Sequence, residues 1–153
     1  MEIKKISKNK KQFLSLLLLA DEQENMIDLY LERGIMHVLL DNGEVKGECI
    51  VTDEGNGILE IKNLAITPNC QRQGYGKKMI EFIAEKYKHR YAILQVGTGD
   101  SPFTINFYKK CGFVFSHRIK NFFTDNYNHP IYDGGVHLVD MIYLRKKLQE
   151  VQG

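Results

Sequence analysis

Several common features are missing from this chain, and each absence excludes a class of protein. The three cysteines, Cys49, Cys70 and Cys111, are an odd number without Cys-x-x-Cys spacing. A disulfide framework or a zinc site is therefore not expected, and a reducing cytoplasm fits this cysteine usage. The formal net charge of +2 is too small to indicate a nucleic-acid partner on its own. No apolar run is long enough for a transmembrane helix, so no membrane partner is expected.

Three site signatures are missing as well. His117, His129 and His137 are too far apart to form a metal motif with one another or with the cysteines, so no metal is expected. No segment has the Gly-x-x-x-x-Gly-Lys-Ser/Thr spacing of a P-loop. A dinucleotide fingerprint needs a third glycine three residues after Gly76, and Met79 stands there.

The amino-terminal segment has some features of a secretory signal, because the lysine cluster Lys4–Lys11 precedes the apolar run 13–20. The run is short, Ser15 interrupts it, and Asp21 follows it directly without a small-x-small cleavage site. The apolar pattern then continues over residues 26–31 as a second helix. We therefore expect a protein that remains in the cytoplasm.

The length and the order of the apolar patterns predict the fold class. A chain of 153 residues fits one domain, residues 1–153, with a core that needs neither disulfides nor metal. Strands come first and then alternate with helices, which predicts an α/β (α+β) mixed sheet with helices on both faces. The predicted strands are 2–7, 35–40, 45–52, 58–66, 91–96, 113–119 and 136–145. Two helices are predicted between residues 9 and 33, the second capped by Asp21 and ended by Gly34, and further helices follow residue 74 and residue 102; residues 97–102 and 121–135 read as loops.

A strand that leads into a glycine-rich turn and then a helix runs from Glu60 to Tyr87. The strand breaks at Pro68, and the turn contains Gly74 and Gly76, which let the backbone approach a ligand closely. Free N–H groups and the positive end of the helix dipole would point into this turn and bind an anion. We therefore expect a phosphorylated ligand here, surrounded by the cationic side chains Arg72, Lys77 and Lys78.

The turn resembles the acyl-CoA pyrophosphate loop of the GNAT superfamily of N-acyltransferases, Gln/Arg-x-x-Gly-x-Gly/Ala. The matching residues are Gln71-Arg72-Gln73-Gly74-Tyr75-Gly76, and Leu64-Ala65-Ile66 and Pro68 precede them at the family's spacing. The segment Asn106-Phe107-Tyr108-Lys109-Lys110-Cys111-Gly112-Phe113 is similar to the family's second landmark, aromatic-Tyr-x-x-x-Gly-Phe. The resemblance extends over nearly the whole chain, and residues 97–144 look like those of small bacterial members.

The resemblance implies a mostly antiparallel sheet with one parallel pair in the middle, formed by the strand that ends at Ile66 and the strand 91–96. These two strands splay apart at their carboxyl ends, and the pantetheine arm of acetyl-CoA, the implied co-substrate, lies in the crevice. An exposed strand edge offers free N–H and C=O groups to such an amide-bearing ligand. The implied cofactor-binding residues are Leu64, Ala65 and Ile66 on the strand and Gln71, Arg72, Gln73, Gly74, Tyr75, Gly76 and Lys77 at the loop.

Acyl transfer to an amine requires removal of a proton from the amine, stabilisation of the oxyanion and protonation of the leaving thiolate. Glu60 lies in mid-strand, at a position similar to the general-base glutamate of the histone acetyltransferase branch, and desolvation there would make it a stronger base. Alternatively, Glu60 pairs with Lys62 or faces solvent. The other candidate bases, all on predicted strands, are Glu48, His37 and Asp140.

Tyr108 matches the tyrosine of the second landmark, which in many members protonates the leaving thiolate, and is therefore the candidate general acid. Alternatively, it anchors its helix to the sheet. Many members have an asparagine seven residues before this tyrosine as a contact of the pantetheine arm, and this chain departs from the pattern with Ser101. The oxyanion partner is expected to be a backbone N–H near Ile66.

The predicted loop 121–135 is rich in aromatic and acidic residues. In the family this region often borders the acceptor site, and acidic groups there would suit a cationic amine. Alternatively, the loop packs on its own domain. The residues concerned are Phe122, Phe123, Tyr127 and Tyr132 together with Asp125 and Asp133.

We expect direct transfer of an acetyl group to a primary amine of a small molecule or a peptide, because no cysteine is placed to form an acyl-enzyme. One alternative is a non-catalytic acyl-CoA-binding regulatory module, and another is a nucleic-acid-binding protein that uses the lysine cluster Lys4–Lys11. A carboxylate and a tyrosine at the family's spacing favour the enzyme, and the near-neutral remainder of the chain argues against nucleic acid. The sequence is compatible with a homodimer.

Overall fold

A computed structural model describes residues 1–149; residues 150–153 of the predicted domain lie outside this range. The strands are β1 (Glu2–Ile6), β2 (Ile35–Asp41), β3 (Glu44–Asp53), β4 (Ile58–Ile66), β5 (Ile93–Gly99), β6 (Val114–Ile119), β7 (Tyr132–Asp133), β8 (Val136–His137) and β9 (Met141–Lys147). The α-helices are α1 (Leu14–Ala20), α2 (Glu24–Asp28), α3 (Tyr75–Tyr87), α4 (Pro102–Lys110) and α5 (Phe122–Asn126).

Seven strands form one sheet in the order β1-β2-β3-β4-β5-β9-β6, and β7 and β8 form a separate hairpin. Within the described chain, β4 and β5 are the one parallel pair, and the other neighbours are antiparallel. The parallel register joins residues 58–61 to residues 93–96, and no described residue continues it. The two strands therefore separate towards their carboxyl ends. The predicted mixed sheet with a splayed parallel pair and helices on both faces is confirmed.

Apolar side chains alternate along the strands and form a core on each face of the sheet. On one face, Leu59 and Ile61 of β4 pack with Met79 of α3. On the other face, Ile50 of β3 packs with Leu17 of α1. Each of these side chains is at most 3% exposed, and burial of such a side chain contributes roughly 1.5–3 kcal/mol. The two cores enclose the sheet from both faces.

The region between β1 and β2 differs from the predicted pair of helices. The second helix ends at Asp28, and residues 29–33 form turns. Gln23 occupies the N-cap of α2, so the prediction of Asp21 as the capping residue is wrong. Gly34 has no left-handed φ, and a Cβ there would lie 2.5 Å from Ile50 Cγ2. Close packing against β3, rather than helix termination, requires this glycine.

Two lysines of the amino-terminal cluster make internal contacts. The ammonium of Lys10 donates to the carbonyl oxygens of Leu31 (2.8 Å) and Gly34 (2.7 Å). These hydrogen bonds satisfy two backbone acceptors of the turn after α2. Lys11 pairs with Asp28 at 2.9 Å. These contacts occupy two ammonium groups of the cluster, which a nucleic-acid interface would need for binding phosphates. Within residues 1–149, no helix is both long and apolar enough to cross a membrane.

The carboxyl-terminal third corrects three predictions. β5 extends through the predicted loop as far as Gly99, where a Cβ would lie 2.5 Å from the side chain of Leu138; one at Gly97 would lie 2.7 Å from Met141 Sδ. These glycines allow close packing rather than a turn. The predicted strand 136–145 is divided into β8 and β9, because Leu138 turns away to donate its N–H to Ile131 O (2.9 Å). The predicted loop 121–135 contains α5 and β7.

His37 on β2, one of the candidate bases, is buried against α3. Its Nε2 lies 3.0 Å from the hydroxyl of Tyr87, and the residue is 1% exposed. Burial lowers the pKa of His37 to about 4, and the charge of Lys86 acts in the same direction. The imidazole is therefore neutral at pH 7.

We expect the contribution of His37 to the free energy of unfolding to fall as the pH decreases from about 6.5 to about 4. His37 has a folded pKa of about 4 and an ordinary unfolded pKa near 6.5. In this range the unfolded state binds more protons, so the contribution is complete above pH 6.5 and is lost towards pH 4. It corresponds to about 3 kcal/mol, which urea unfolding at a series of pH values would measure.

The matched control replaces an exposed histidine. His37→Phe should remove its share of the slope of unfolding free energy against pH between about 6.5 and about 4, whereas His89→Gln should leave the slope of the native protein unchanged. An equal slope in native protein and His37→Phe would show that His37 is not the group responsible.

Candidate active site

A cavity of about 330 Å³ opens where β4 and β5 separate, a volume typical of small-ligand sites. Residues 61–64 of β4 and residues 96–99 of β5 line it, and the end of α1, one side of α4 and the segment from α5 to β9 close it. Because β4 has no described partner on this side beyond Ile61, its edge presents free backbone N–H and C=O groups to a ligand.

A β-bulge lies next to this opening. Asn63 pairs with Ile50 and Ile61 pairs with Val51, so Lys62 is the extra residue on β4. A bulge bends its strand and increases the local twist, which favours the separation of β4 from β5. Lys62 and Asn63 both lie in the cavity wall.

The glycine-rich loop forms the expected helix N-terminus. Gly74 is the N-cap of α3 with a φ of 85°, a left-handed conformation that glycine adopts without strain. No side chain caps α3, so its first N–H groups are open to an anion. Arg72 and Lys77 are exposed, and neither forms an ion pair in the part of the chain that the structure describes.

Three other predicted loop residues hold the loop through hydrogen bonds of their own. Such bonds fix the backbone that would bind the pyrophosphate. They run from Gln71 Nε2 to Ile66 O (3.1 Å), from Gln73 Nε2 to Asn69 O (3.3 Å) and from Tyr75 Oη to Asp41 Oδ2 (2.8 Å).

The remaining predicted cofactor residues differ in their surroundings. Leu64 lines the cavity, while Ala65 is buried opposite Glu48. A Cβ at Gly76 would lie 3.0 Å from Phe107 Cζ. Gly76 therefore allows α3 to approach α4 closely, so its presence has a packing explanation that is independent of any phosphate.

Tyr108 on α4 lines the cavity. It is 7% exposed, and its ring packs edge-on against Phe107 and Phe113. Its hydroxyl has no hydrogen-bond partner among the described residues. Burial raises the pKa of Tyr108, so the hydroxyl is protonated at neutral pH and free to donate. Ser101, where the family often has asparagine, is fully buried and is not part of the cavity wall.

Glu60 is 4% exposed and is bonded through both oxygens. Its Oε2 lies 2.6 Å from Lys62 Nζ, and its Oε1 accepts a hydrogen bond from Gln95 Nε2 (2.5 Å). Gln95 Oε1 in turn accepts from Arg145 Nε (2.7 Å). The alternative pairing with Lys62 is therefore present. Glu60 does not line the cavity, whereas Lys62 does, so a proton can reach Glu60 from a bound amine only through an intermediate group.

The other candidate bases lie outside the cavity wall. Glu48 is fully buried, neither of its oxygens has a partner among the described residues, and burial raises the pKa of its carboxyl. Asp140 accepts hydrogen bonds from the backbone N–H of Asn121 (2.8 Å) and from Arg118 (2.7 Å), and these donors lower the pKa of Asp140. The carboxylate of Asp140 is therefore explained by contacts within the fold, whereas no side-chain partner among the described residues accounts for the buried carboxyl of Glu48.

The sequence analysis missed Asp21 and Asn63 as cavity residues. The two oxygens of Asp21 accept hydrogen bonds from the hydroxyls of Tyr30 (3.0 Å) and Tyr127 (2.7 Å). Burial raises the pKa of Asp21, while the two hydroxyls act in the opposite direction. Tyr127 is separated from Asp21 by 106 positions, so no local pattern could have indicated the contact.

His117, His129 and His137 do not form a metal site. Residues 1–149 contain no group of three or more His, Cys, Asp or Glu side chains suited to a metal.

The aromatic and acidic loop reaches the cavity in part. The loop residues in the cavity wall are Phe123, Tyr127, Tyr132 and Asp133, whereas Phe122 and Asp125 lie outside it.

Comparisons with known proteins agree with this geometry. A family model described as an acetyltransferase (GNAT) domain matches residues 32–115. The chain is 32% identical over 135 residues to the uncharacterized N-acetyltransferase YvbK of Bacillus subtilis (strain 168), with 87% of each chain covered.

Solved structures are similar over nearly the whole chain. A GNAT family acetyltransferase from Elizabethkingia anophelis with acetyl-CoA bound is 34% identical, with a TM-score of 0.90 over 95% of this chain and 97% of that chain. The IAA acetyltransferase from Bacillus cereus ATCC 14579 is 33% identical, with a TM-score of 0.89 over 95% and 98%. The predicted resemblance is confirmed, and the chain belongs to the GNAT family of acetyltransferases.

Proposed function

We propose that this chain transfers the acetyl group of acetyl-CoA directly to a primary amine. The observation that carries the proposal is the opening between β4 and β5, which lies directly before the glycine-rich loop and is lined by Tyr108. The similar protein from Elizabethkingia anophelis binds acetyl-CoA, which supports the same donor here. Cys49, Cys70 and Cys111 are free thiols, which supports a reducing compartment such as the cytoplasm.

In this proposal the donor lies along the free edge of β4. The amide groups of its pantetheine arm pair with the backbone of residues 64–66, and its pyrophosphate lies at the N-terminus of α3. Arg72 and Lys77 balance the phosphate charge. The thioester then lies in the cavity beside Tyr108.

The amine nitrogen attacks the thioester carbonyl carbon, and a backbone N–H near residues 64–66 stabilises the oxyanion. As the intermediate collapses, the C–S bond breaks and Tyr108 gives its proton to the sulfur of CoA. The proton that the amine loses passes to Glu60 through Lys62, which accepts one proton from the amine and donates one to the carboxylate. Glu60 then returns its proton through Lys62 to water, and water gives a proton to Tyr108, so that both groups are restored and no net proton is gained or lost.

The engaged oxygens of Glu60 favour a second candidate function, a non-catalytic acyl-CoA-binding regulatory module. Such a module would bind acetyl-CoA without releasing CoA in the presence of any amine. An assay of free CoA thiol over a panel of primary amines separates the two functions, because only the enzyme gives amine-dependent release.

Acetyl-CoA is expected to raise the melting temperature, because a ligand that binds only the native state stabilises it by about 2.7 kcal/mol at 100 times its Kd. Dephospho-CoA should stabilise less, and ATP or NAD much less. Thermal unfolding with each ligand at equal concentration measures the order.

Variants that remove one positive charge test whether the stabilisation by acetyl-CoA depends on the glycine-rich loop. Lys77→Gln should reduce the stabilisation by acetyl-CoA, because a charge-assisted contact to phosphate is lost. Lys120→Gln, a matched change at another exposed lysine, should not. Equal stabilisation by ATP and acetyl-CoA would contradict the assignment of the donor.

A further inference from the structure

Of the three carboxylates that line the cavity, Glu22 lies 3.9 Å from His129 Nε2, and the other two face no cation across the cavity among the described residues. Asp21, at the end of α1, and Asp133, on β7, both line it. Asp21 accepts hydrogen bonds from the hydroxyls of Tyr30 and Tyr127, and Asp133 accepts one from Thr104 (2.6 Å). None of these partners is charged, and neither carboxylate forms an ion pair within residues 1–149. Each carboxylate has lone pairs left for further donors.

A buried amide oxygen in the same wall also lacks a donor. Asn63 lines the cavity and is 2% exposed. Its Nδ2 donates to Leu17 O and to the hydroxyl of Tyr30, both at 3.0 Å. Oδ1 has no partner among the described residues. A buried acceptor without a donor is unfavourable, so this wall suits a ligand that supplies N–H groups.

The cation in the cavity wall is already engaged. Lys62 Nζ lies 2.6 Å from Glu60 Oε2 and 3.9 Å from Glu54 Oε1. Lys62 therefore does not balance Asp21 or Asp133. The cavity retains a negative charge and unused acceptors on this wall.

We propose that the acceptor is a small aliphatic diamine or polyamine whose second ammonium group is bound by Asp21, Asp133 and Asn63. This inference rests on the proposed function, since another amino group of the same molecule receives the acetyl group. The reacting amine attacks as a neutral base and brings no charge to the two carboxylates, whereas a second, protonated amino group brings one positive charge and three N–H donors. Phe123 and Tyr132 offer apolar surface to the connecting methylene groups.

Size and charge favour a short acceptor that carries no carboxylate. The cavity of about 330 Å³ also has to hold the acyl end of the donor, which leaves room for a short chain only. An amine that carries a carboxylate, such as an amino acid, would bring a negative charge towards Asp21 and Asp133 and be repelled.

The test compares 1,4-diaminobutane with butylamine, which has the same carbon chain and one amino group. We expect kcat/KM for the diamine, measured by release of CoA thiol, to exceed that for butylamine by about tenfold or more. Asp21→Asn should bring this ratio close to one. Asp125→Asn, a matched change at an exposed carboxylate outside the cavity wall, should preserve it.

Asp133→Asn provides a second variant if Asp21→Asn does not fold, and it too should reduce the ratio. Equal kcat/KM for the two amines, faster turnover of an amino acid, or a ratio unchanged in the carboxylate variants would overturn the inference. If neither amine is acetylated, calorimetric titration of 1,4-diaminobutane into the acetyl-CoA-saturated protein decides. Binding that Asp21→Asn abolishes supports the inference, and no binding overturns it.

A failure of the proposed function would look different. In that case acetyl-CoA would not raise the melting temperature of the native protein, or it would raise it without amine-dependent release of CoA thiol over the whole panel of primary amines. Stabilisation by acetyl-CoA together with turnover of butylamine at the rate of the diamine would leave the function standing and remove only the inference about the acceptor.

Discussion

Tyr108→Phe is expected to lower the rate of acetyl transfer by roughly 10²-fold or more, while the melting temperature stays nearly unchanged. The ring and its edge-on contacts with Phe107 and Phe113 are retained. The hydroxyl that is removed has no partner among the described residues, so no hydrogen bond of the fold is lost. Initial rates and melting curves on the same sample measure both effects.

A donor with a more acidic leaving thiol should partly restore the rate of Tyr108→Phe, because such a thiolate departs without a proton. Tyr91→Phe is the matched control: its hydroxyl bonds Asp53 at 3.1 Å, away from the cavity, and its loss should leave turnover unchanged. Full activity of Tyr108→Phe would assign Tyr108 to packing only.

Glu60→Gln is expected to lower kcat by roughly 10²–10⁴-fold, the usual range for loss of a general base, with little change in acetyl-CoA affinity. An amide can still accept from Gln95 but cannot take up a proton from Lys62. The fall should therefore appear in single-turnover measurements at saturating donor, and thermal stabilisation by acetyl-CoA should be retained.

Lys62→Met distinguishes a relay, in which Lys62 passes the proton of the amine to Glu60, from direct action of Glu60 as the base. If the proton passes through Lys62, then Lys62→Met, Glu60→Gln and the double variant should have similar rates, because residues that act as a unit are not additive. Glu54→Gln removes a charge 3.9 Å from Lys62 outside the relay and should change the rate little. Full activity of Glu60→Gln would show that the base lies elsewhere.

Local signals predicted the strand, the glycine-rich loop and the helix that form the proposed donor side of the site. These three elements follow one another directly in the sequence: the strand stops at Pro68, the loop contains the glycines, and the helix begins at Tyr75. Residues close in sequence were therefore enough to predict each of them. The splay between β4 and β5 followed from the resemblance to the family, and the register confirms it.

The cavity wall proposed to bind the acceptor could not be predicted in the same way, because long-range contacts build it. Asp21 looked like a helix cap, and its role in the cavity depends on Tyr127, 106 positions away. Gly97 and Gly99 looked like a loop because glycine is common in turns, yet each provides space for a residue of the carboxyl-terminal segment. The bulge at Lys62 exists only in the pairing of two strands.

Hydrogen exchange with and without saturating acetyl-CoA tests the central claim most directly, namely that the donor lies along the free edge of β4 and at the N-terminus of α3. We predict slower exchange of backbone amides in residues 62–66 and 72–77, with no change in β1 or β6. Ligand amides pair with the open strand edge, and phosphate oxygens accept from the first N–H groups of the helix. Saturation by acetyl-CoA without protection of residues 62–66, or with protection elsewhere only, would contradict the account.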